Sequence, residues 1–412
     1  MARALFVCYG GGHAKMLIPV VQQLTTEGGW EPTVLALTLA GPQVRAAGIT
    51  AYGYRDLLRP DDDTAIAHGK RLLADSHDPR SGIAVEESIA YLGLSYQDLV
   101  DRLGADAAAE RYRKFGRHAF EQFGPLGRAI DRFHPDVIVT TNSPKSERAA
   151  LVVGAERGIA TIGIEDTLGL RQKIFPDFVR PFLADRICSP STIAAENLVS
   201  SWGVPPDRIR LTGNPAFDRL ASVAQRKRER RPDGAQRTVV FFTQAYTRAD
   251  ALRTVADAAL RDPRVRFVIR RHPNYRGGEA DKILGLLGSR VTLGDDLDLD
   301  TLLVDADCVV AVSSTSILEA ILVGTPVVQL GPATGITDET LEHVDDLPLY
   351  RNGATILASG RADLSAAIAR ALDPEAVRPV IDRAASTFVA PGGAARAVAA
   401  QMREVIGAER LS

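Results

Sequence analysis

The feature that most constrains the fold of this chain is the alternation of short apolar runs with longer amphipathic stretches. In the first half the short runs are ALFVC (4–8), TVLAL (33–37), DVIVT (136–140), ATIGIE (160–165) and IRLTG (209–213). Such alternation is typical of βαβ units, in which helices joining parallel strands cover both faces of a sheet. The sequence therefore predicts a doubly wound, Rossmann-like α/β domain over residues 1–221.

Residues 55–132 depart from this alternation. The stretch IAYLGLSYQDLVDRL (89–103) carries apolar residues at spacings of three and four, and residues 111–133 do the same. This period is that of an amphipathic helix rather than a strand. We therefore expect a helical insertion within the first domain at about residues 55–132.

A charged segment with turn-forming residues divides the chain. Residues 222–237 (SVAQRKRERRPDGAQR) lack periodicity, and their charge run, proline and glycine predict an interdomain linker. Strand-like runs then restart as TVVFFT (238–243), VRFVIRR (265–271), RVTL (290–293), DCVVAV (307–312) and TPVVQL (325–330). We expect a second Rossmann-like domain over 238–392 and a final helix within 393–412 that crosses back to the first domain.

Composition limits the functions open to the chain. Its 412 residues, 45% of them hydrophobic, are enough for two hydrophobic cores. The net charge of −2 lacks the broad positive field that binding to nucleic acid or anionic membranes usually needs. No run of about 18 apolar residues occurs, and the N-terminal apolar run is too short for a signal peptide. We therefore expect a cytoplasmic protein without an integral membrane segment.

The cysteines carry no chemistry of their own in this sequence. Cys8, Cys188 and Cys308 are far apart, and each lies in or beside an apolar run. Their spacing excludes both a disulfide framework and a CxxC metal knuckle. We expect all three to be reduced and buried.

Two facing Rossmann-like domains would form a cleft at the carboxyl ends of their strands, where open α/β sheets bind ligands. The motif VSSTSILE (312–319) lies at such a place. Its turn Ser313–Thr315, which comprises Ser313, Ser314 and Thr315, leads from a strand into a helix whose free N–H groups can hold a phosphate. Glu319, one turn into the helix, could accept hydrogen bonds from a ribose diol.

A second polar motif, RRHPN (270–274), follows another predicted strand. Pro273 restricts His272 to an extended conformation, which fixes where the imidazole points. Arg271 adds positive charge at the same place. Thr243 and Gln244 end a third strand, where they could contact a base or a phosphate.

Each of these residues also has a purely structural interpretation. Ser316-x-x-Glu319 is a capping box, which a helix start alone explains. A single histidine such as His272 is as often structural as functional, and turn capping explains Thr243 and Gln244 equally well. Capping leaves the Ser313–Thr315 turn unexplained, and this favours an anion site.

Three glycines and a histidine stand where the first strand gives way to a helix, in FVCYGGGHAK (6–15). Gly11 and Gly12 let the backbone turn tightly and admit a bound sugar or phosphate. His13 offers a nitrogen that titrates near neutral pH and could act as a general base on an acceptor hydroxyl. The alternative is that the glycines only form a turn and His13 caps the helix.

Acidic residues provide further candidates. Glu165 and Asp166 end a strand, and because successive side chains point to opposite faces, only one can point into the cleft. We take Glu165 as the catalytic candidate, although a solvated loop would explain both residues. DDLDLD (295–300) resembles Mn²⁺-binding DxD motifs, but acids at a helix start are stabilising in themselves. No metal site is therefore predicted.

Polar residues after a further strand could orient an acceptor or simply start a helix. These residues are Asn142, Ser143, Lys145 and Arg148.

Several of these motifs together resemble the GT-B superfamily of nucleotide-sugar enzymes. They are the GGGH entrance, the HP dipeptide, the SST…E turn before Gly-Thr-Pro-Val-Val, and the terminal PGGAARAV. Within the superfamily the sequence is similar to capsule-polysaccharide and glycerophosphate transferases and to non-hydrolysing UDP-N-acetylglucosamine 2-epimerases. The epimerases typically carry Ser-Gly-Gly where this chain has Ser313–Thr315, which favours a transferase.

The resemblance assigns roles by position. His272 and the Ser313–Thr315 turn would hold the donor phosphates, Glu319 would contact the ribose, and Gly10–His13 would face them across the cleft. The implied partners are a nucleotide-sugar donor, for example a UDP-sugar, and a hydroxyl-bearing acceptor. A nucleotide sugar would be the substrate and no cofactor is expected. The sequence leaves the oligomeric state open, and a homodimer is one alternative.

The function expected from the sequence is a metal-independent, inverting glycosyltransferase with His13 as its base. Two rival enzymes are a sugar-nucleotide 2-epimerase and a CDP-polyol phosphotransferase. A carbohydrate-binding protein without turnover is the remaining alternative.

Overall fold

The structure is a computed structural model that describes residues 1–74, 82–143, 145–166, 168–169, 184–230, 236–245, 247–275, 288–336 and 347–407. The chain divides into two compact units. Unit 1 is Met1–Asp218 together with Gly393–Ser412, and unit 2 is Arg219–Gly392.

Unit 1 is built on a parallel sheet. In chain order its strands are β1 (Ala2–Cys8), β2 (Trp30–Ala36), β3 (Ala51–Tyr52), β4 (Val137–Thr141), β5 (Ala160–Ile164), β6 (Arg186–Ser189) and β7 (Ile209–Leu211). They lie side by side in the order β3-β2-β1-β4-β5-β6-β7. The strand order reverses direction between β1 and β4, as it does in the Rossmann fold.

The helices of unit 1 follow the strands, and several form the insertion predicted near residues 55–132. They are α1 (Gly11–Glu27), α2 (Ala40–Ala46), α3 (Asp63–Ala74), α4 (Val85–Leu103), α5 (Ala105–Phe115), α6 (Phe123–Phe133), α7 (Ser146–Glu156) and α8 (Thr192–Trp202).

Strand β1 is buried on both faces of the sheet. Leu5 and Val7 pack with the helical insertion, whereas Phe6 and Cys8 pack into the core that contains α1. All four side chains are fully buried. The sequence of a strand that is buried on both faces is a continuous apolar run. This is why β1 could be predicted from the sequence.

The insertion contains a close backbone contact between α3 and α4. A Cβ atom built on Gly69 would lie 2.1 Å from the carbonyl oxygen of Ile89, and one built on Gly93 would lie 2.1 Å from that of Ala65. Neither distance is compatible with a real side chain. The two helices therefore pack this closely only because both positions are glycine.

Unit 2 contains a second parallel sheet with the same reversal. Its strands are β8 (Arg237–Phe242), β9 (Val265–Arg270), β10 (Val291–Leu293), β11 (Cys308–Ala311), β12 (Val327–Leu330) and β13 (Ile356–Ala358). Their order is β10-β9-β8-β11-β12-β13. The helices are α9 (Leu220–Glu229), α10 (Ala249–Ala259), α11 (Leu299–Asp305), α12 (Thr315–Leu322), α13 (Pro348–Arg351), α14 (Leu364–Leu372) and α15 (Pro374–Thr387).

The last described helix, α16 (Ala394–Ile406), belongs to unit 1. It packs on α1 and β5, and Val398 and Met402 are fully buried in the core of that unit. Its first N–H groups, at Ala394 and Ala395, donate to the two carboxylate oxygens of Asp218 at 2.9 and 2.8 Å. The helix is thus an integral layer of unit 1.

The predicted fold class, α/β with two Rossmann-like sheets, is confirmed. Strands β3 (AY), β6 (RICS) and β13 (ILA) were not predicted from the sequence. The three cysteines are free and buried, and burial raises the pKa of Cys188 and Cys308 to about 12. Within the described residues, a helix sufficiently long and apolar to span a membrane does not occur.

The predicted linker differs from the structure in its first part. Residues 220–229 form α9, and residues 231–235 lie outside the described residues. Lys227 Nζ donates to the carbonyl of Leu303 at 3.1 Å, and Arg230 donates to that of Asp305 at 2.8 Å. The charge run therefore satisfies the carbonyl groups at the C-terminal end of α11, where cations are favoured.

Candidate active site

The predicted site residues lie at the strand ends where the strand order reverses or after the strand next to that point, separately in each unit. In unit 1 His13 follows β1, and α7 follows the neighbouring β4. In unit 2 Thr243 and Gln244 follow β8, and the Ser313–Thr315 turn follows the neighbouring β11. Loops leave such a point in opposite directions and open a crevice, which is where doubly wound sheets bind ligands.

In unit 1 the central feature is a histidine paired with a buried carboxylate. His13 Nδ1 lies 3.0 Å from Glu147 Oε1, and Glu147 is fully buried. The same oxygen accepts the backbone N–H of Tyr9 at 2.7 Å. An ionised Glu147 requires a proton on Nδ1 of His13, so Nε2 remains as the ring nitrogen that can accept a proton.

Glu147 is held in place by a network that reaches into the helical insertion. Its neighbour Ser146 contacts the Tyr54 hydroxyl at 3.1 Å and donates to Gln122 Oε1 at 2.5 Å. Gln122 in turn donates to Ser95 at 3.0 Å. All four of these side chains are buried, so the network fixes the first turn of α7 and with it the carboxylate.

Electrostatics favour a more basic His13. Burial acts to lower the pKa of His13, but the hydrogen bond and charge of Glu147 outweigh it, helped by Asp166 and Glu165. The pKa is therefore raised above its ordinary value of 6.5. A base with a raised pKa binds a proton more strongly once it is neutral.

Changing Glu147 to Gln is expected to move the pH profile of any reaction that uses His13 as a base. The rate should rise with pH through the pKa of His13, because only the neutral ring accepts a proton. Loss of the Glu147 charge lowers that pKa, so the acid limb of kcat/KM should shift to lower pH while the limiting rate falls. Kinetics from pH 5 to 9 would measure this, and an unchanged acid limb would contradict the pairing.

The structure distinguishes the two adjacent acids. Glu165 is 1% exposed, and its oxygens accept the N–H of Gly169 at 3.1 Å and the amide of Asn142 at 3.0 Å. Asp166 is 31% exposed, and its Oδ2 lies 4.0 Å from His13 Nε2. Glu165 thus stabilises the loop after β5, and Asp166 is the acid beside the open nitrogen of His13.

The glycines before His13 are not required by the packing of the protein itself. Gly10 has a φ of 175°, which is an extended conformation open to any residue. Cβ atoms built on Gly10 and Gly12 would have no atom of the described residues within 4 Å, and one on Gly11 would meet only the end of the Gln43 side chain. Neither packing nor backbone conformation requires glycine at these positions. The absence of side chains instead favours the close approach of a ligand to the backbone.

In unit 2 three strand ends are tied to one another. The Thr243 hydroxyl accepts the N–H of His272 at 3.0 Å, and the Gln244 amide donates to the carbonyl of Ser313 at 2.5 Å. His272 Nδ1 accepts the N–H of Asn274 at 3.1 Å. This contact places the proton of a neutral ring on Nε2, which is thereby a donor suited to an anion.

The helix after β11 is capped by Ser314 rather than by Ser316. The Ser314 hydroxyl accepts the N–H of Ser316 at 3.2 Å, and α12 begins at Thr315. The capping box at Ser316 is therefore wrong, because Ser316 already lies inside the first turn. Ser313 and Thr315 are exposed on either side of the cap.

The two charged residues predicted here already have partners. Glu319 is buried and forms an ion pair with Arg219, which also pairs with Asp300. Arg271 is paired with Asp295, whose carboxylate also accepts its N–H at 2.8 Å. Arg271 therefore helps to hold the loop after β10.

The acidic run 295–300 has structural partners in the same way. Asp298 caps α11 by accepting the N–H of Thr301 at 3.2 Å, and Asp295 and Asp300 pair with arginines. In the part of the chain that the structure describes, no group of three His, Cys, Asp or Glu side chains is placed to hold a metal ion.

A comparison with protein families finds one match, to the family model described as "Capsule polysaccharide biosynthesis protein". It covers residues 239–345, which include most of β8, all of β9 to β12 and the strand ends described above. No curated protein matches the chain.

Solved structures match over almost the whole chain. UDP-GlcNAc 2-epimerase from Neisseria meningitidis, bound to UDP-GlcNAc, has a TM-score of 0.64 at 14% identity, covering 98% of this chain and 100% of that one. MurG from Acinetobacter baumannii has a TM-score of 0.58 at 11% identity, covering 98% and 100%. The glycotransferase of kitacinnamycin has a TM-score of 0.58 at 15% identity, covering 98% and 99%.

The chain has the GT-B fold. This is the fold that the sequence motifs predicted, and at these identities the likeness establishes the fold alone. Transferases and epimerases both occur among the GT-B structures that match, so the choice between them depends on the residues of this chain.

Two important residues of this GT-B chain were not selected from the sequence. Glu147 stands 134 positions from His13, and Arg219 stands 100 positions from Glu319. A signal for Glu147 was present, since it lies in the first turn of the helix after a strand that the Rossmann order places beside β1. No comparable sequence pattern identifies Arg219 as a partner of Glu319.

Proposed function

We propose that the protein is a glycosyltransferase that moves a sugar from a nucleotide-sugar donor to a hydroxyl group of an acceptor, with inversion and without a metal ion. The observation that carries this proposal is the pair His13–Glu147 at the strand reversal of unit 1, where Nδ1 is fixed and Nε2 is left for proton transfer.

The reaction needs a single base. His13 Nε2 takes the proton of the acceptor hydroxyl while its oxygen forms a bond to the anomeric carbon. The bond from that carbon to the phosphate oxygen breaks, and the nucleoside diphosphate leaves with the electron pair. Asp166, 4.0 Å from Nε2, stabilises the imidazolium that forms. We therefore propose that Asp166, rather than Glu165, is the carboxylate that assists His13 in catalysis.

The donor would bind at the strand ends of unit 2. The Nε2–H of His272 and the start of α12 supply donors for the diphosphate, which replace the charge that a metal would provide. Thr243 and Gln244 join the two by hydrogen bonds. Glu319, oriented by Arg219, is the acceptor for a ribose diol.

A 2-epimerase is the second candidate, because the Neisseria structure is an epimerase whose fold spans this whole chain. Incubation of the protein with a nucleotide sugar alone in D₂O separates the two functions. An epimerase exchanges a carbon-bound proton for deuterium and yields an isomer without any acceptor. A transferase yields neither.

Replacing His272 with Ala is expected to weaken nucleotide binding. Loss of one hydrogen bond to a charged group, about 1.5–3 kcal/mol, corresponds to a dissociation constant about 10- to 100-fold higher. Thermal shifts with UDP, CDP, GDP and CMP would identify the ligand, and titration calorimetry would measure the change.

His272→Gln, which retains a donor, is the conservative control. His13→Ala, which lies in unit 1, is the control for a general loss of binding. Equal loss of affinity in His272→Ala and His13→Ala would contradict the proposed division of roles.

A further inference from the structure

The amide of Asn142 bridges the two adjacent acids that follow β5. Its nitrogen donates to Glu165 Oε2 at 3.0 Å and to Asp166 Oδ1 at 2.8 Å. A primary amide nitrogen carries two hydrogens, and here each of them meets a different carboxylate. Asn142 follows β4 and lies before α7 begins at Ser146. Its side chain therefore holds the acids and does not start that helix.

The same amide determines the orientation of the Asp166 carboxylate. Oδ1 accepts the hydrogen bond from Asn142, and Oδ2 lies 4.0 Å from His13 Nε2. The main chain is held separately, because the amide of Asn214, which is 6% exposed, donates to the Asp166 carbonyl at 2.9 Å. With its main chain and one oxygen fixed, Asp166 presents the other oxygen to the nitrogen that is proposed to accept the proton.

The end of β4 thus holds the acids on both sides of the imidazole. The buried Thr141 hydroxyl donates at 3.4 Å to Glu147 Oε1, the oxygen that contacts His13 Nδ1. The next residue, Asn142, holds the acid beside Nε2. Two consecutive residues therefore place one acid at each ring nitrogen of His13.

The amide also offsets the repulsion between two neighbouring carboxylates. Each ionised group disfavours the other, and a hydrogen bond to the charged form stabilises it. Asp166 is the acid that can move if the amide is lost, because its side chain is 31% exposed. Glu165 is 1% exposed and also accepts the N–H of Gly169 at 3.1 Å. Loss of the amide should therefore release Asp166 toward solvent and away from His13.

We propose that Asn142 is a positioning residue, which holds Asp166 beside His13 Nε2 and so makes Asp166, rather than Glu165, the acid that stabilises the imidazolium. This inference rests on the proposed function and assigns a further residue to its site. Asn142 acts through Asp166, whose fixed negative charge favours the protonated ring that forms during transfer.

The first test measures the pKa of His13 by NMR titration of the full chain without substrate, with His13→Ala to assign the signal. Asn142→Leu is close to asparagine in size but lacks both donors. A nearby carboxylate raises the pKa of an imidazole, so withdrawal of Asp166 should lower the pKa of His13. A pKa of His13 that stays at the wild-type value or rises would overturn the inference.

A double-mutant cycle separates positioning from a general structural effect. Asp166→Asn removes the charge and should lower the pKa of His13 at least as much as Asn142→Leu does. In the Asp166→Asn protein, Asn142→Leu should add little, because the charge through which it acts is already absent. Equal shifts in both backgrounds would overturn the inference. If leucine prevents folding, Asn142→Ala removes the donors without adding bulk.

Kinetics connect this positioning to catalysis. Asn142→Leu should lower kcat about 10-fold, the low end for loss of a hydrogen bond to a charged group, and leave the nucleotide Kd unchanged. The acid limb of its pH profile should move to lower pH, as in Asp166→Asn. Asn352→Leu is the matched control, because this half-buried asparagine of unit 2 contacts the Thr387 hydroxyl at 2.9 Å and should affect neither quantity. Wild-type kcat in Asn142→Leu would contradict the assigned role.

The inference and the proposed function fail in different ways. The NMR titration needs neither donor nor acceptor, so an unchanged pKa of His13 in Asn142→Leu rejects the positioning role and leaves the glycosyltransferase intact. Full turnover in His13→Ala, together with a pKa of His13 that depends on Asn142, would reject the proposed base and leave the placement of Asp166 by Asn142 intact.

Discussion

Replacing His13 with Ala is expected to lower turnover by about 10²–10⁴-fold, the usual contribution of a general base. The acceptor hydroxyl would then lose its proton to water instead of to Nε2. Nucleotide affinity should stay at the wild-type value, because the residues proposed to hold the donor lie in unit 2. Release of nucleoside diphosphate and calorimetric titration with the same nucleotide would measure the two quantities.

His68→Ala is a matched control for this substitution. His68 lies on α3 of the same unit, where its ring packs against Tyr96 rather than against an acid. Its loss should leave turnover within a factor of a few of wild type. A His13→Ala protein that keeps full turnover would eliminate His13 as the base and with it the proposed mechanism.

Replacing Gly93 with Ala is expected to destabilise the protein by about 1–3 kcal/mol, the range for overpacking a tight contact. The new methyl group would stand 2.1 Å from the carbonyl oxygen of Ala65, and a backbone atom cannot move aside as a side chain can. Helices α3 and α4 would have to separate. Urea denaturation would measure the loss as a lower midpoint.

Gly127→Ala provides the comparison. Gly127 also lies inside a helix, α6, but its added methyl group would meet the Arg157 guanidinium at 3.1 Å, which is the end of a flexible side chain, and a Val153 methyl group at an ordinary 4.0 Å. Because alanine favours helices over glycine by about 1 kcal/mol, this substitution should be neutral or stabilising. The same loss of stability in both proteins would show that the α3–α4 contact is not what requires glycine.

Local sequence patterns predicted the sheets because buried parallel strands are continuously apolar. Val137–Thr141 and Cys308–Ala311 are completely buried, and each stands out against polar flanks. The two-residue strand Ala51–Tyr52 does not, since its pairing with β2 depends on what lies beside it.

The site was predictable to the extent that its residues follow strands. Alternation of side chains along an extended segment implied that only one of Glu165 and Asp166 could face a ligand. It did not say which, because the choice depends on Asn142 and on the N–H of Gly169. The pairing of His13 with Glu147 and of Glu319 with Arg219 likewise arises only when distant segments meet. The charge run at 222–237 suggested a linker for the same reason. Its Lys227 and Arg230 donate to carbonyl groups more than 70 positions away, which the local sequence does not reveal.

The placement of α16 has a consequence for how the chain matures during translation. Unit 1 lacks this layer until residues beyond Gly393 leave the ribosome, by which time all of unit 2 has emerged. Until then, the apolar surface of α1 and β5 against which Val398 and Met402 pack is not covered by α16. Unit 2 is one continuous segment and can fold as soon as it has emerged. Unit 1 completes its core only after α16 has been synthesised.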